Sequence, residues 1–174
     1  MPRRALKKDW KKAEAAVRAY GRARRRFCKC QLDLERTKLL SGNDNKVGVA
    51  GEFWAKMLYH RRGWSLVSVP RPNNAGFDFS CSRRGSTVRV SVKVISDESK
   101  KGRQLPLKPD GPWDALCVML LKTSLEPYRY GMATRRQFNR AQKQGVIGRK
   151  PTVSRSWLGP KGWITEYGEV KTWK

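Results

Sequence analysis

The sequence is short of histidine, acidic residues and long apolar runs. His60 is the only histidine among 174 residues, so no Ser-His-Asp or Cys-His catalytic set can be argued, and a zinc site of two cysteines and two histidines is excluded. Cys28 and Cys30 form a C-x-C, while Cys81 and Cys117 stand alone among apolar residues. These spacings suit neither a disulfide framework nor a four-cysteine metal site, and they read as free thiols in a reducing compartment. The longest unbroken apolar run, Ala115 to Leu121, is seven residues, far short of a membrane span. No apolar core follows the basic start, so no secretory signal is expected. Hydrophobic residues make up 39%, a low share, but seven Trp, five Phe and five Tyr supply bulky core material for one domain plus an appendage.

Positive charge is in excess. Thirty-nine Lys+Arg stand against 14 Asp+Glu, a formal net charge of +25 with an isoelectric point near 10.7. Residues 1–30 hold twelve basic and two acidic residues, and residues 134–163 hold eight basic residues and no acid. Between them lies a stretch of near-normal charge. Two acid-poor flanks on a small chain point to a polyanionic partner, nucleic acid, rather than to a membrane surface. The N-terminal apolar residues are too sparse for a strong lipid-facing stripe.

Residues 5–40 read as helical: Trp10, Ala13, Val17 and Tyr20 make a narrow apolar stripe on a basic rod. The break Ser41-Gly42-Asn43-Asp44-Asn45 ends in N-cap residues and precedes a second helix over 46–62, stopped by Gly63. The hydrophobic period then changes to two. Strands are expected at 64–69, 77–82, 87–95, 115–122 and 128–133. Thr134 caps a basic helix to about residue 144. In 87–95, Val88, Val90, Val92 and Val94 share one face, and Arg89, Ser91 and Lys93 the other. The fold class that follows is α/β: a central mixed sheet flanked by helices, preceded by a basic helical extension.

A turn at Arg84-Gly85 places Asp78 opposite Ser91, with Lys93 two residues on and on the same face. Glu52 sits in the small-residue stretch Gly48-Val49-Ala50-Gly51-Glu52, where a helix can approach a sheet closely. These residues allow two readings. Asp78–Lys93 and Glu52–Lys56 make ordinary ion pairs on a wet surface. Alternatively, Glu52 and Asp78 hold Mg²⁺ or Mn²⁺ while Lys93 orients water or stabilises charge on a phosphodiester in cleavage.

The order Gly51-Glu52 on a helix, Arg71, Asp78 after a Gly-containing loop, a hairpin, then Ser91-Val92-Lys93 resembles the PD-(D/E)XK nuclease superfamily, which includes restriction endonucleases and archaeal-type Holliday junction resolvases. The resemblance covers roughly residues 46–135. It implies a restriction-endonuclease-like core, metal held by Glu52 and Asp78, catalysis by Lys93, and position 91 as a further acidic ligand. Position 91 is Ser here, and Phe77 stands where the family has Pro. The expected function is a metal-dependent DNA endonuclease. The other reading is a non-catalytic nucleic-acid-binding or structural protein on the same fold.

The division expected is an arm over 1–45, a nuclease-like core over 46–144, and a basic aromatic tail over 145–174 packed on or extending that core. Phosphate contacts are expected from Arg24, Arg25 and Arg26 on the arm, Arg71, Lys100, Lys101 and Arg103 in loops, and Arg135 and Arg136 on the last helix. The expected partner is DNA in preference to RNA. Cleavage of two strands favours a symmetric dimer. The expected location is intracellular, in the cytoplasm or with the nucleoid.

Overall fold

The computed structural model describes residues 46–70, 76–97 and 104–174, together with Arg26, Phe27, Lys29 and Cys30. The chain divides into two compact units, Met1–Leu40 and Ser41–Lys174. In the first, the four described residues are helical, with Arg26 exposed. The rest of the arm expected over 1–45 lies outside the described residues.

The second unit opens with helix α1, Lys46–Arg61. Its end follows from the backbone. Gly63 has φ +76°, its N–H donates to His60 (2.9 Å) and the Trp64 N–H to Tyr59 (3.0 Å), which satisfies the last carbonyls of the helix. Strands β1 (Ser65–Ser68), β2 (Phe79–Arg83) and β3 (Ser86–Ser96) follow as an antiparallel meander. The turn between β2 and β3 has Arg84 at φ 50° and Gly85 at φ 79°, the paired left-handed conformations whose twist matches a two-residue hairpin. Its register sets Phe79 opposite Val90 and Arg83 opposite Ser86, which carries the expected pairing up to the edge of Asp78.

After β3 the chain crosses through β4 (Leu105–Pro106) and returns as β5 (Ala115–Leu121), parallel to β3. All seven residues of β5 are buried, as an unbroken apolar run in a central strand requires. Strand β6 (Pro127–Thr134) runs antiparallel to β5 and leads into helix α2 (Arg135–Lys143). Thr134 caps its start, as the sequence led one to expect, and does so in a reciprocal capping box with Gln137. The remaining chain supplies β7 (Thr152–Val153), a 3₁₀ turn (Arg155–Leu158), the short helix α3 (Trp163–Tyr167) and β8 (Glu169–Thr172). The mixed sheet has the order β1-β2-β3-β5-β6-β8, and β4 pairs with β7 separately.

Both faces of the sheet are covered. On one, Ala55, Leu58 and Tyr59 of α1 pack on Phe79, Val90, Val92, Val94, Cys117 and Met119. On the other, Phe138, Ala141, Leu158, Trp163 and Ile164 pack on Ile95, Leu116, Val118 and Leu120. Residues 145–174 therefore supply both core side chains and an edge strand. The sequence led one to expect a tail packed on or extending the core but showed no strand there, because β8 is four residues long and too short to show a period. The strand expected at 64–69 shortens to four exposed residues at the sheet edge, with Leu66 40 % and Val67 57 % exposed. Cys81 and Cys117 are buried free thiols and Cys30 an exposed one. Among the described residues no helix is long and apolar enough to cross a membrane.

One contact sets the height of α1 above the sheet. A methyl group built on Gly51 overlaps the side chain of Val94, a branched residue with little freedom to yield. Replacing Gly51 by Ala is therefore expected to lower stability by about 1–3 kcal/mol through overpacking, more than the gain in helix propensity returns. Urea denaturation would show this as a lower midpoint at an unchanged slope.

Candidate active site

Glu52 follows Gly51, so the close approach of α1 to β3 brings its carboxyl beside that strand. There a cavity of ≈ 190 Å³ is lined by Val47, Gly48, Glu52, Asp78, Val92, Lys93, Val94 and Leu105. Asp78 enters from the residue before β2. Its N–H donates to the Val90 carbonyl (2.8 Å), and its Oδ2 accepts the Val92 N–H at 2.6 Å. The hydroxyl of Ser91, itself 5 % exposed, also bonds to the Asp78 carboxylate. These bonds fix the carboxylate on the backbone of β3, while Lys93 reaches the same cavity from that strand.

Burial dominates the electrostatics. It pushes the Glu52 carboxyl up to about 7, helped by the nearby charge of Asp78 and opposed by Lys56. Asp78 is also raised by burial, against the pull of the Val92 N–H, Lys93, Lys56 and Ser91. Lys93 is lowered by burial, and Lys108 lowers it further while Asp78 acts in the opposite sense. Lys56 is lowered by burial, against the attraction of Glu52 and Asp78. Its Nζ lies 3.8 Å from Glu52 Oε2. The structure thus brings Glu52, Asp78, Ser91 and Lys93 together and adds Lys56 and Lys108. Neither of these two was singled out as a site residue in the sequence: a lysine four residues after a glutamate is a common helix-surface spacing.

The donors suit a small hard cation: two carboxylates and a hydroxyl, all oxygen, in a confined space. Among the described residues no third carboxylate joins Glu52 and Asp78. Asp97, just beyond β3, is held elsewhere by Arg155 (2.6 Å) and the Tyr128 hydroxyl (3.3 Å).

The residues expected to contact phosphate divide into three groups. Arg24, Arg25, Arg71, Lys100, Lys101 and Arg103 lie outside the described residues. Arg26 and Arg136 are exposed. Arg135 is engaged within the fold: its guanidinium donates to the carbonyls of Pro109, Gly111 and Trp113 and stacks 3.4 Å above the Trp113 ring. These bonds fasten the start of α2 to the loop before β5 and leave the charge half-buried. The sequence concealed this, since the carbonyls come from residues more than twenty positions away. Arg136, Arg140 and Lys143 instead form an exposed stripe along α2, on successive turns away from buried Phe138 and Ala141.

The raised Glu52 carboxyl makes stability depend on pH. Between its ordinary value of 4.5 and about 7 the native state keeps a proton that the unfolded chain releases. The contribution is therefore complete below the lower value and lost as pH rises through the upper one. It amounts to at most about 3 kcal/mol. In chelator, the parent's melting temperature is expected to fall relative to that of Glu52→Gln between about pH 5 and about pH 8. Parallel curves would refute the shift.

No protein-family model matches the chain, and no curated protein matches it. Among solved structures it is similar to a bacterial homing endonuclease, I-Ssp6803I, at 14% sequence identity and a TM-score of 0.44, over 74% of this chain and 89% of that one.

Proposed function

We propose that the chain is a metal-dependent DNA endonuclease of the PD-(D/E)XK type. The observation that carries this reading is the convergence of Glu52, Asp78 and Lys93 in one confined pocket, on a protein of net charge +25. Glu52 and Asp78 would hold Mg²⁺ or Mn²⁺, which supplies an acidified water and offsets charge on the phosphodiester. The backbone N–H of Val92 and the hydroxyl of Ser91 fix Asp78 for that purpose. The Lys93 ammonium, beside Asp78 and largely removed from solvent, is placed to hydrogen-bond the attacking water or a non-bridging phosphate oxygen. Apolar neighbours Val47, Val92, Val94 and Leu105 narrow the access of bulk water and strengthen each of these charges. The basic surface draws DNA to carboxylates that would otherwise repel it, and double-strand cleavage would use two copies of the chain.

A second reading, a non-catalytic nucleic-acid-binding protein on this fold, is favoured by one feature. Ser91 brings a neutral hydroxyl where a third carboxylate would add ligand strength. Nicking of supercoiled plasmid by the purified protein separates the two. With Mg²⁺, Asp78→Ala and Lys93→Ala are each expected to lose at least about a hundredfold in rate, with affinity changed little, because both act on charge developed during reaction. Cleavage by either variant at the parental rate would remove the assigned site. Binding without cleavage in any divalent metal would favour the second reading.

The exposed stripe of α2 yields a separate expectation. Replacing Arg136, Arg140 and Lys143 together by Gln should flatten the slope of log K against log salt by about two to three units on duplex DNA of any sequence. An unchanged slope would place the grip on DNA elsewhere.

A further inference from the structure

Helix α1 covers its side of the sheet only in part. It stops at Arg61, and a cleft of ≈ 650 Å³ stays open where β2 and β6 finish and β3 and β5 begin. The cleft shares no lining residue with the Glu52–Asp78 pocket. Tyr59, the first α1 residue to line it, stands two turns beyond Glu52, roughly 10 Å along the helix. The floor is apolar and formed by Val88, Ala115 and Met132. Val88 and Met132 pack against the core beneath α1 and are only half-buried. The volume falls within the ~300–1,000 Å³ of sites for small organic ligands.

The rim is cationic. Glu169 is the one carboxylate among the described lining residues, and both of its oxygens are taken. Its Oε1 accepts from Arg62 (2.5 Å) and Lys171 (2.8 Å), and its Oε2 accepts from Arg62 (3.0 Å). Arg83 adds a further cation with no carboxylate opposite. It is exposed, its Nη1 donates to the Arg62 carbonyl (3.0 Å), and its guanidinium lies 4.8 Å from the centre of the Trp64 ring. It is therefore held at the mouth of the cleft while its other N–H groups lack partners among the described residues. Gln137 lines the cleft from α2. Its Oε1 accepts both the Thr134 N–H (2.7 Å) and the Thr134 hydroxyl (2.9 Å), which fixes the orientation of the amide. The Nε2 of that amide has no partner among the described residues.

An apolar floor, a fixed neutral donor and an unshared guanidinium suit a ligand with a flat ring, acceptor atoms on its edge and a phosphate. Inorganic phosphate would leave the floor uncovered, and a fatty acid would leave the amide unpaired. We propose that this cleft binds a single nucleotide, with its base on the Val88–Ala115–Met132 floor, an acceptor edge towards Gln137 and its phosphate at Arg83. The Met132 thioether gives the base a soft, adaptable contact. The nucleotide is either free in solution or an unpaired one swung out of a DNA strand. The site goes beyond the metal-dependent reading and does not depend on it.

The test uses the full chain, metal-free, with Arg83→Gln and Gln137→Glu beside the parent. Glutamate at position 137 still accepts from Thr134, so it keeps the capping box and removes only the donor. Calorimetric titrations use nucleosides, nucleoside 5′-monophosphates and inorganic phosphate. The parent is expected to bind a monophosphate more tightly than either the nucleoside or inorganic phosphate. Arg83→Gln should lose about tenfold for the monophosphate and little for the nucleoside, whereas Gln137→Glu should weaken both. A second arm follows the fluorescence of 2-aminopurine placed opposite an abasic site in duplex DNA. A change that Gln137→Glu abolishes, with duplex affinity kept, identifies a nucleotide of the strand. Binding of monophosphates without that change identifies a free one, and either result supports the site. Equal affinity for inorganic phosphate and monophosphate overturns it, as does parental binding by both variants or the absence of a response in both arms. Should one variant fail to fold, the other decides. Plasmid nicking tests the Glu52–Asp78 pocket separately, so the two readings fail independently.

Discussion

The contact of Gly51 with Val94 sets how close α1 lies to β3, and the candidate site inherits that distance. A helix resting on a sheet through larger side chains would hold Glu52 farther from Asp78 and Lys93, whose positions are fixed by the strand. The two carboxylates would then be too far apart to repel one another or to share a cation. The constraint is one of packing before it is one of chemistry. The valines of β3 form the floor on which α1 lies, and the polar residues of the pocket occupy what the packing leaves open beside it.

Burial then gives those residues their character. Two carboxylates in water would be fully ionised at neutral pH and would ignore each other beyond a few ångströms. In this cavity, desolvation raises both, and the burden falls unequally. Asp78 is tied to a backbone N–H and a hydroxyl of β3, whereas the charge nearest Glu52 is the Lys56 ammonium at 3.8 Å. Asp78 is thus anchored by hydrogen bonds that favour its ionised form. Glu52, pushed up to about 7, is the one whose charge changes near neutral pH.

The hairpin was legible in the sequence because a period of two and a glycine at the turn are local signals. Together they fix which side chains share a face, and the pairing of Phe79 with Val90 follows. The approach of α1 was legible for a related reason, since a run of small residues on a helix has few other uses. The role of Arg135 was hidden by distance along the chain: its ring and carbonyl partners belong to a loop some twenty residues earlier. Strand β8 escaped notice because Glu169-Val170-Lys171-Thr172 is too short for periodicity. Its place beside β6 is marked instead by the Arg62–Glu169 ion pair (2.5 Å), across 107 positions of sequence. Lys56 was visible as a partner of Glu52, but its burial is a tertiary fact.

The two-residue turn at Arg84-Gly85 has a consequence for how this segment tolerates change in length. Asp78 and Lys93 stand on the two arms of a hairpin, and along each arm successive side chains point to opposite faces. Adding or deleting a single residue between Asp78 and the turn, with the pairing beyond it preserved, would turn the aspartate to the α1 face, away from Ser91 and Lys93. Adding or deleting a pair would restore its face while shifting it along the ladder. Only balanced changes, one pair inserted in each arm, would lengthen the hairpin and still return these residues to each other. The segment is therefore governed by parity: its tip is free to lengthen into solvent by matched steps, whereas an odd step on either arm dismantles the pocket without disturbing any residue in it.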